Sequence, residues 1–210
     1  MSNDKKRMTG MLIHSFAVAH AVAAAVLAQT IVGDEAVLTA LTIAMIIAVA
    51  KMNGADWDTG SALAFLGVFA GTYLGVRGAT FLIKWIPGIG NAANAFATFG
   101  TTEVLGWVTY IFVKKGKTDP KSMSKEEKDE LWNEAQNMRE QEKDESERLY
   151  NAMSSADKSA CDDIMKQLKD KNISDSERNA LLDKLQSIMV TVQSGSKRCQ
   201  NWLPKNQKEI

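Results

Sequence analysis

The segment that decides the fold covers residues 8–33 and reads MTGMLIHSFAVAHAVAAAVLAQTIVG, without one charged side chain. At a rise of about 1.5 Å per residue, a helix of this length crosses the roughly 30 Å hydrocarbon layer of a bilayer. Lys5, Lys6 and Arg7 precede the segment, and basic residues mark the cytoplasmic end of a spanning helix. The segment is therefore predicted to be a membrane helix that begins in the cytoplasm.

Three further apolar runs follow in the first half of the chain. Residues 36–50 form a short run, which we expect to be a tilted, half-inserted or protein-buried helix. Residues 60–82 are interrupted only by Arg77, and residues 89–113 only by Glu103. These two runs are long enough to span a membrane as helices.

The turn between the third and fourth runs contains Pro87, Gly88 and Gly90, which break a helix and act as a hinge. The other connections are also short, and short loops make consecutive helices antiparallel neighbours. The sequence therefore predicts two N-terminal membrane helical hairpins. Because Lys114 and Lys115 follow the fourth run, both termini are expected on the cytoplasmic side.

Charge divides the chain into two unlike halves. The whole sequence of 210 residues has 25 basic and 25 acidic residues, but residues 1–116 hold only 8 basic and 6 acidic ones. We therefore predict an all-α protein with a membrane-embedded domain over residues 1–116, a linker over residues 117–123 and a charged soluble helical domain over residues 124–210. A soluble, alanine-rich bundle and a cleaved secretory signal at the N-terminus are the alternatives.

Small residues form a regular pattern in the third run and a matching pattern in the fourth: Gly67, Gly71, Gly75, Gly78, Ala93, Ala97 and Gly100. Glycine at every fourth position leaves bare backbone on one helix face, which lets two helices approach closely. Two interpretations follow from this pattern. The glycines form the interface of a homo-oligomer or a pore wall, or they pack against the fourth run within the same chain.

The fourth run also carries polar side chains at helical spacing: Asn91, Asn94, Thr98 and Thr102, with Glu103 beside them. An ionised carboxylate within a membrane costs several kcal/mol unless it is paired, hydrated or protonated. The row could line a cation path through the membrane. Alternatively, these side chains form hydrogen bonds between helices and Glu103 pairs with Arg77.

The charged half is predicted to contain three helices. Ser124 with Glu127 and Ser174 with Glu177 fit the capping-box pattern at a helix start. The first helix extends to about Met153, with an apolar stripe interrupted by glutamates, and the other two form an antiparallel hairpin. Acidic and basic residues alternate, so no basic stripe for nucleic acid is present.

The sequence contains no nucleotide-binding loop, metal-binding motif or catalytic triad pattern, and we expect neither a cofactor nor enzymatic activity. His14 and His20 are six residues apart and lie on different helix faces, so they are not expected to share a metal. Cys161 and Cys199 are predicted to be free thiols because the cytoplasm is reducing. Cys161 is expected to be buried on an apolar face.

Residues 15–115 resemble the YcjF-type bacterial membrane domain of unknown function, which often follows a small GTPase domain. The similarity rests on the following features: His20, Asp34, residues 41–45, Asn53 and Gly54, residues 86–90, Thr102 and Gly106. The resemblance implies a helical domain of the bacterial inner membrane. This chain has no GTPase domain ahead of the hairpins, so it implies at most a separate GTPase partner.

Together these features favour an integral membrane protein that acts as an oligomeric scaffold or partner-binding component. Membrane lipid and a second copy of the chain are the expected partners, and nucleic acid is not. A channel or pore-former is the second hypothesis, and a membrane subunit for a separate GTPase is the third.

Overall fold

The computed structural model describes residues 3–27, 35–73 and 91–202, and these residues are helical with no strand. The elements are, in order, α1 (Asn3–Leu27), α2 (Glu35–Met52), α3 (Thr59–Tyr73), α4 (Asn91–Lys114), a short 3-10 turn (Pro120–Ser122), α5 (Lys125–Asn151), α6 (Ser155–Leu168) and α7 (Asp175–Trp202). The predicted all-α class is therefore confirmed over this part of the chain. The proposed hinge at Pro87, Gly88 and Gly90 lies outside the described residues.

Local hydrogen bonds explain where the helices of the charged half begin. The Ser124 hydroxyl accepts from the backbone N–H of Glu127, whose side chain accepts from the Ser124 backbone in return. Ser174 and Glu177 make the same reciprocal pair before α7. Both capping boxes predicted from the sequence are confirmed, because each satisfies backbone donors that the first helical turn leaves unpaired.

Helix α1 lies at the centre of the fold and runs antiparallel to both α2 and α4. Thr9 is hydrogen-bonded to Met52 Sδ near one end of α2, and His20 contacts Thr42 closer to the other end. Residues 41–50 of α2 are all buried. Of the three alternatives for this short run, the structure matches a helix buried within the protein.

The charged helices pack directly on the apolar ones. Helix α5 runs antiparallel to α4 and parallel to α1, since Lys115 meets Glu134 at 2.6 Å and Lys6 meets Glu142 at 2.6 Å. Helices α6 and α7 pack on each other and on α1 and α2. Most of the contacts that this helix pair makes with the rest of the protein are with the apolar helices and not with α5.

An aromatic cluster joins α3 to α4. The ring of Phe65 lies 5.2 Å from that of Phe112 and 4.7 Å from that of Phe69, and Trp57 packs on Phe65 at 5.2 Å. Such edge-to-face and tilted contacts stabilise by about 0.5–1.5 kcal/mol per pair beyond simple burial. The start of α3 is thereby fixed against the end of α4.

Within the described ranges, one helix is long and apolar enough to cross a membrane, namely α1 over Asn3–Ala25. About two thirds of its most apolar stretch (67%) is buried inside the protein. The apolar parts of α2 and α3, Val37–Met52 and Thr59–Phe69, are shorter. The core helix of a protein can have the same length and composition as a spanning helix. The role of α1 must therefore be judged from the residues that surround it.

Candidate functional site

Glu103 is the centre of a polar cluster that connects three helices. Its side chain is almost fully buried on α4, with 4% of its surface exposed. One carboxylate oxygen lies 3.1 Å from His14 Nδ1 on α1, and the other accepts a hydrogen bond of 2.8 Å from Arg139 Nε on α5. Because both oxygens have partners, the charge is compensated in the interior, where an unpaired carboxylate would cost several kcal/mol. We call Glu103, His14, Arg139 and Tyr150 the Glu103 cluster.

The rest of the cluster fixes the His14 ring. Its imidazole packs edge-on against Phe99 with ring centroids 5.2 Å apart, and against Tyr150 at 5.4 Å. Burial raises the pKa of Tyr150, so this phenol stays protonated at neutral pH. Arg139 has a second partner at the surface, Glu140, at 2.7 Å. The cluster therefore joins α1, α4 and α5, and two of its members, Arg139 and Tyr150, are partly exposed to solvent.

Two glycines allow the close approach that the cluster requires. A Cβ atom at Gly106 would lie 2.7 Å from Ile13 Cγ1, so the α4 backbone lies directly against a side chain of α1 there. A Cβ atom at Gly10 would overlap Ser146 Oγ, so the α1 backbone lies directly against a side chain of α5. The β-branched Ile13 side chain cannot easily move aside, so Gly106 needs glycine, whereas at Gly10 the Ser146 hydroxyl must rotate away to admit a Cβ atom.

The predicted glycine face has a different environment. Gly67 is exposed, and no atom lies within 4 Å of a Cβ built on it. Among the described residues, close packing of Gly67 against α4, the intrachain alternative, is therefore not found. A Cβ atom built on Gly100 would instead lie 3.6 Å from Arg139 Nη2. The surroundings of the other residues in this pattern lie outside the described part of the chain: Gly71, Gly75, Gly78, Ala93 and Ala97.

The polar row on α4 is only partly described. The buried hydroxyl of Thr102 donates to the carbonyl oxygen of Thr98 at 2.8 Å, so this hydrogen bond lies within α4 instead of between helices. The side chains of Asn91 and Asn94 lie outside the described residues, as does all of Arg77. The partners found for Glu103 are His14 and Arg139, so the described structure supplies no pair with Arg77.

A second group of ion pairs lies along α1 and α5, near the start of α1. Lys6 Nζ lies 2.6 Å from Glu142 Oε1, and Arg7 Nε donates to Glu145 Oε1 at 2.7 Å. Glu145 also accepts from Arg148 Nε at 2.6 Å. Hydrogen bonds from Arg148 and then Arg7 lower the pKa of Glu145, so it is ionised at neutral pH. We call Lys6–Glu142 and Arg7–Glu145 the N-terminal ion pairs.

Other titratable groups serve as structural residues. His20 is fully buried and contacts the Phe16 carbonyl oxygen at 2.9 Å, away from His14. Cys161 is a buried free thiol, as predicted, and burial raises its pKa to about 12. Among the described residues, no three His, Cys, Asp or Glu side chains come together in a way that could hold a metal ion.

Sequence reasoning identified Glu103 but not its partners. Arg139 is one of many charged residues on α5, and no residue near it in the sequence indicates a buried carboxylate opposite. A signal did exist for the N-terminal ion pairs. Glu142 and Glu145 interrupt the apolar stripe of α5 at the positions that face Lys6 and Arg7. Acidic interruptions in one stripe and basic residues at the start of another helix predict such pairing.

Comparison of the chain with models of protein families, with characterised proteins and with solved structures finds no match.

Proposed function

We propose that this protein is a non-enzymatic, membrane-associated helical scaffold with two forms. In the closed form, α5 covers α1 and α4, and α6 and α7 pack on α1 and α2. In the membrane form, the charged helices leave and the apolar helices enter the bilayer of the bacterial inner membrane, with both termini cytoplasmic. The observation that carries the proposal is the Glu103 cluster, because it ties the charged helix α5 to the two apolar helices.

A spanning α1 is incompatible with the closed arrangement. Helix α5 lies alongside both α1 and α4, and its outer face carries exposed charges, including Glu130, Lys143 and Glu147. Each charged residue at the centre of a bilayer costs about 2.5–3.5 kcal/mol on insertion scales. Three such residues would cost roughly 8–10 kcal/mol, so α5 cannot accompany its neighbours into hydrocarbon. Membrane entry by α1 therefore requires α5 to move away.

The membrane form is supported by the sequence and not by the closed contacts. The uncharged length of residues 8–33, the basic residues at both ends of the apolar half and the resemblance to YcjF-type domains all favour insertion. Departure of α5 would also expose its apolar stripe, including Leu131, Ala135 and Leu149, which are buried in the closed form. We propose that this stripe then binds a partner protein, for which a separate GTPase is the candidate implied by the resemblance.

A homo-oligomer is the second element of the scaffold proposal. Gly67 is open in the closed form, so its helix face is accessible to a second copy of the chain. A pore is less well supported by the geometry. A cation path would need Glu103 to face water, whereas both of its oxygens are bound to protein groups.

The proposal can be tested by locking the closed form. A Cβ at Gly10 approaches the Ser146 side chain closely enough for Gly10→Cys with Ser146→Cys to be joined by a disulfide. The pair is placed in a Cys161→Ala, Cys199→Ser background and mixed with vesicles that contain phosphatidylglycerol. After a carbonate wash, the reduced protein should remain with the vesicles, and the oxidised protein should be washed off. Equal retention of both, or release of the reduced and wild-type proteins by carbonate, would contradict the two-form proposal.

A further inference from the structure

Resting on the two-form proposal, we infer that the N-terminal ion pairs are a sensor for anionic phospholipid. In the closed form, Lys6 and Arg7 bind the carboxylates of Glu142 and Glu145. At a membrane that carries anionic lipid, the same two side chains exchange these carboxylates for lipid phosphates. The exchange frees α5 at the end that is farthest from its connection to α4.

The position of the two basic residues favours this exchange. They directly precede the uncharged segment of residues 8–33, so when α1 spans a bilayer they lie at the level of the headgroups. In the closed form they are partly exposed, with 26% of the Lys6 side chain and 18% of the Arg7 side chain accessible. A vesicle surface can therefore reach them before α1 moves.

The chemistry of both partners is also suited to exchange. Guanidinium and ammonium groups bind phosphate oxygens as they bind carboxylates, through charge-assisted hydrogen bonds. When Arg7 leaves, Glu145 keeps its bond to Arg148 Nε at 2.6 Å. Glu145 therefore loses one partner without becoming an unpaired ion, and Glu142 gains access to water. The cost of release on the α5 side is small as a result.

The position of these pairs along α5 makes the exchange a trigger. Helix α5 starts at Lys125, after a connection of ten residues from the end of α4, and Glu142 and Glu145 lie near its other end. At about 1.5 Å per residue, Glu145 is roughly 30 Å along the helix from that start. Loss of the N-terminal ion pairs thus releases the distal end of α5 first. Arg139, the member of the Glu103 cluster that lies closer to the connection, then separates from Glu103.

The experiment measures carbonate-resistant binding to vesicles of pure phosphatidylcholine and of phosphatidylcholine with phosphatidylglycerol. Wild-type protein should insert only where phosphatidylglycerol is present. Lys6→Gln with Arg7→Gln should weaken binding to the anionic vesicles by roughly thirtyfold, as expected for two basic residues at a membrane surface. The exposed pair Lys125→Gln with Lys171→Gln has the same charge change far from the N-terminal ion pairs and should change binding less than threefold.

Replacing the acidic partners of the N-terminal ion pairs should have the opposite effect on membrane insertion. Glu142→Gln with Glu145→Gln should lower the fraction of phosphatidylglycerol needed for insertion, because the basic residues no longer have to be released. Glu130→Gln with Glu147→Gln, on the exposed face of α5, should not do so. Equal effects of the two acidic pairs would show that net charge alone governs binding and would overturn the inference.

A crosslinking experiment distinguishes lipid phosphate from free phosphate as the group that Lys6 and Arg7 bind. Together with the insertion measurement, it also separates failure of this inference from failure of the two-form proposal. Disulfide formation between Gly10→Cys and Ser146→Cys should slow severalfold with phosphatidylglycerol vesicles and stay unchanged with phosphatidylcholine vesicles or with inorganic phosphate at the same phosphate concentration. Slowing by inorganic phosphate would overturn the lipid assignment. Insertion that does not depend on phosphatidylglycerol refutes this inference but leaves the two-form proposal standing, whereas no insertion into either vesicle refutes both.

Discussion

Replacing Glu103 by Gln tests the cluster that holds the closed form together. The change keeps the size of the side chain and removes its charge, so both hydrogen bonds lose the carboxylate, and the amide offers one oxygen to Arg139 and only its N–H to His14. A hydrogen bond to a charged group contributes about 1.5–3 kcal/mol, and a neutral one about 0.5–1.5 kcal/mol. Two such differences give a loss of about 2 kcal/mol in the free energy of unfolding.

The surroundings of Arg139 keep this loss in the free energy of unfolding below the cost of leaving a buried charge unpaired. Arg139 retains Glu140 at 2.7 Å, and 26% of its side chain is exposed. Breaking a fully buried ion pair costs about 3–5 kcal/mol because the remaining charge has no partner. Arg139, by contrast, keeps both Glu140 and contact with solvent. For a chain of this size, a loss of about 2 kcal/mol lowers the melting temperature by roughly 4–8 °C.

Thermal and urea unfolding of the lipid-free protein, followed by far-ultraviolet circular dichroism, measures the effect. Glu140→Gln is the matched control, because Glu140 binds the same Arg139 from the solvent side with 56% of its side chain exposed. An exposed pair contributes less than about 1 kcal/mol. If Glu103→Gln and Glu140→Gln change stability equally, or if a double-mutant cycle of Glu103→Gln with Arg139→Gln shows no coupling, the reasoning about the cluster is refuted.

Three further predictions concern packing, thiol chemistry and pH. Gly106→Ala should destabilise the closed form by about 1–3 kcal/mol because its Cβ would overlap a side chain of α1, whereas Gly67→Ala, in open space, should leave the urea midpoint unchanged or raise it. Cys161, whose pKa is raised to about 12, should resist alkylation by iodoacetamide at pH 8 until urea unfolds the protein, and rapid labelling in native buffer would contradict its burial. Because the pKa of Glu145 is lowered, its contribution to stability is present above the unfolded pKa of about 4.5 and is lost as pH falls below that value. Wild type should therefore lose its stability advantage over Glu145→Gln between about pH 5 and pH 3. Parallel curves of stability against pH for the two proteins would refute this prediction.

Local patterns predict the helices of this protein well. Apolar runs and the capping boxes at Ser124 and Ser174 gave the helical class and the helix starts, because both are encoded within a few neighbouring residues. The second apolar run was too short for a clear membrane assignment, and the structure encloses it within the chain. That enclosure depends on what the other helices cover, which no local pattern records.

The partners in the site could not be predicted in the same way. Glu103 stands out in the sequence because a charge interrupts an apolar run, but Arg139 is one of many charges on α5. Its contact with Glu103 depends on how α5 lies against α4, and that is decided by packing along both helices. Gly10 was likewise inconspicuous, although the α1 backbone lies directly against the Ser146 side chain of α5 at this position. Tertiary contacts between the two halves are therefore where sequence reasoning failed.

The central claim is that α5 lies against α1 in water and leaves it at an anionic membrane. The most direct measurement is the distance between spin labels at Asn3→Cys and Gln141→Cys, which are exposed positions on these two parallel, adjacent helices. In a Cys161→Ala, Cys199→Ser background, the interlabel distance should be about 15–25 Å in water, as adjacent helices 8–10 Å apart allow. With phosphatidylglycerol vesicles it should lengthen by at least about 15 Å, since Gln141 lies about 24 Å along α5 from the start of that helix and becomes free to swing. One short distance in both conditions, or a long distance already in water, would contradict the account.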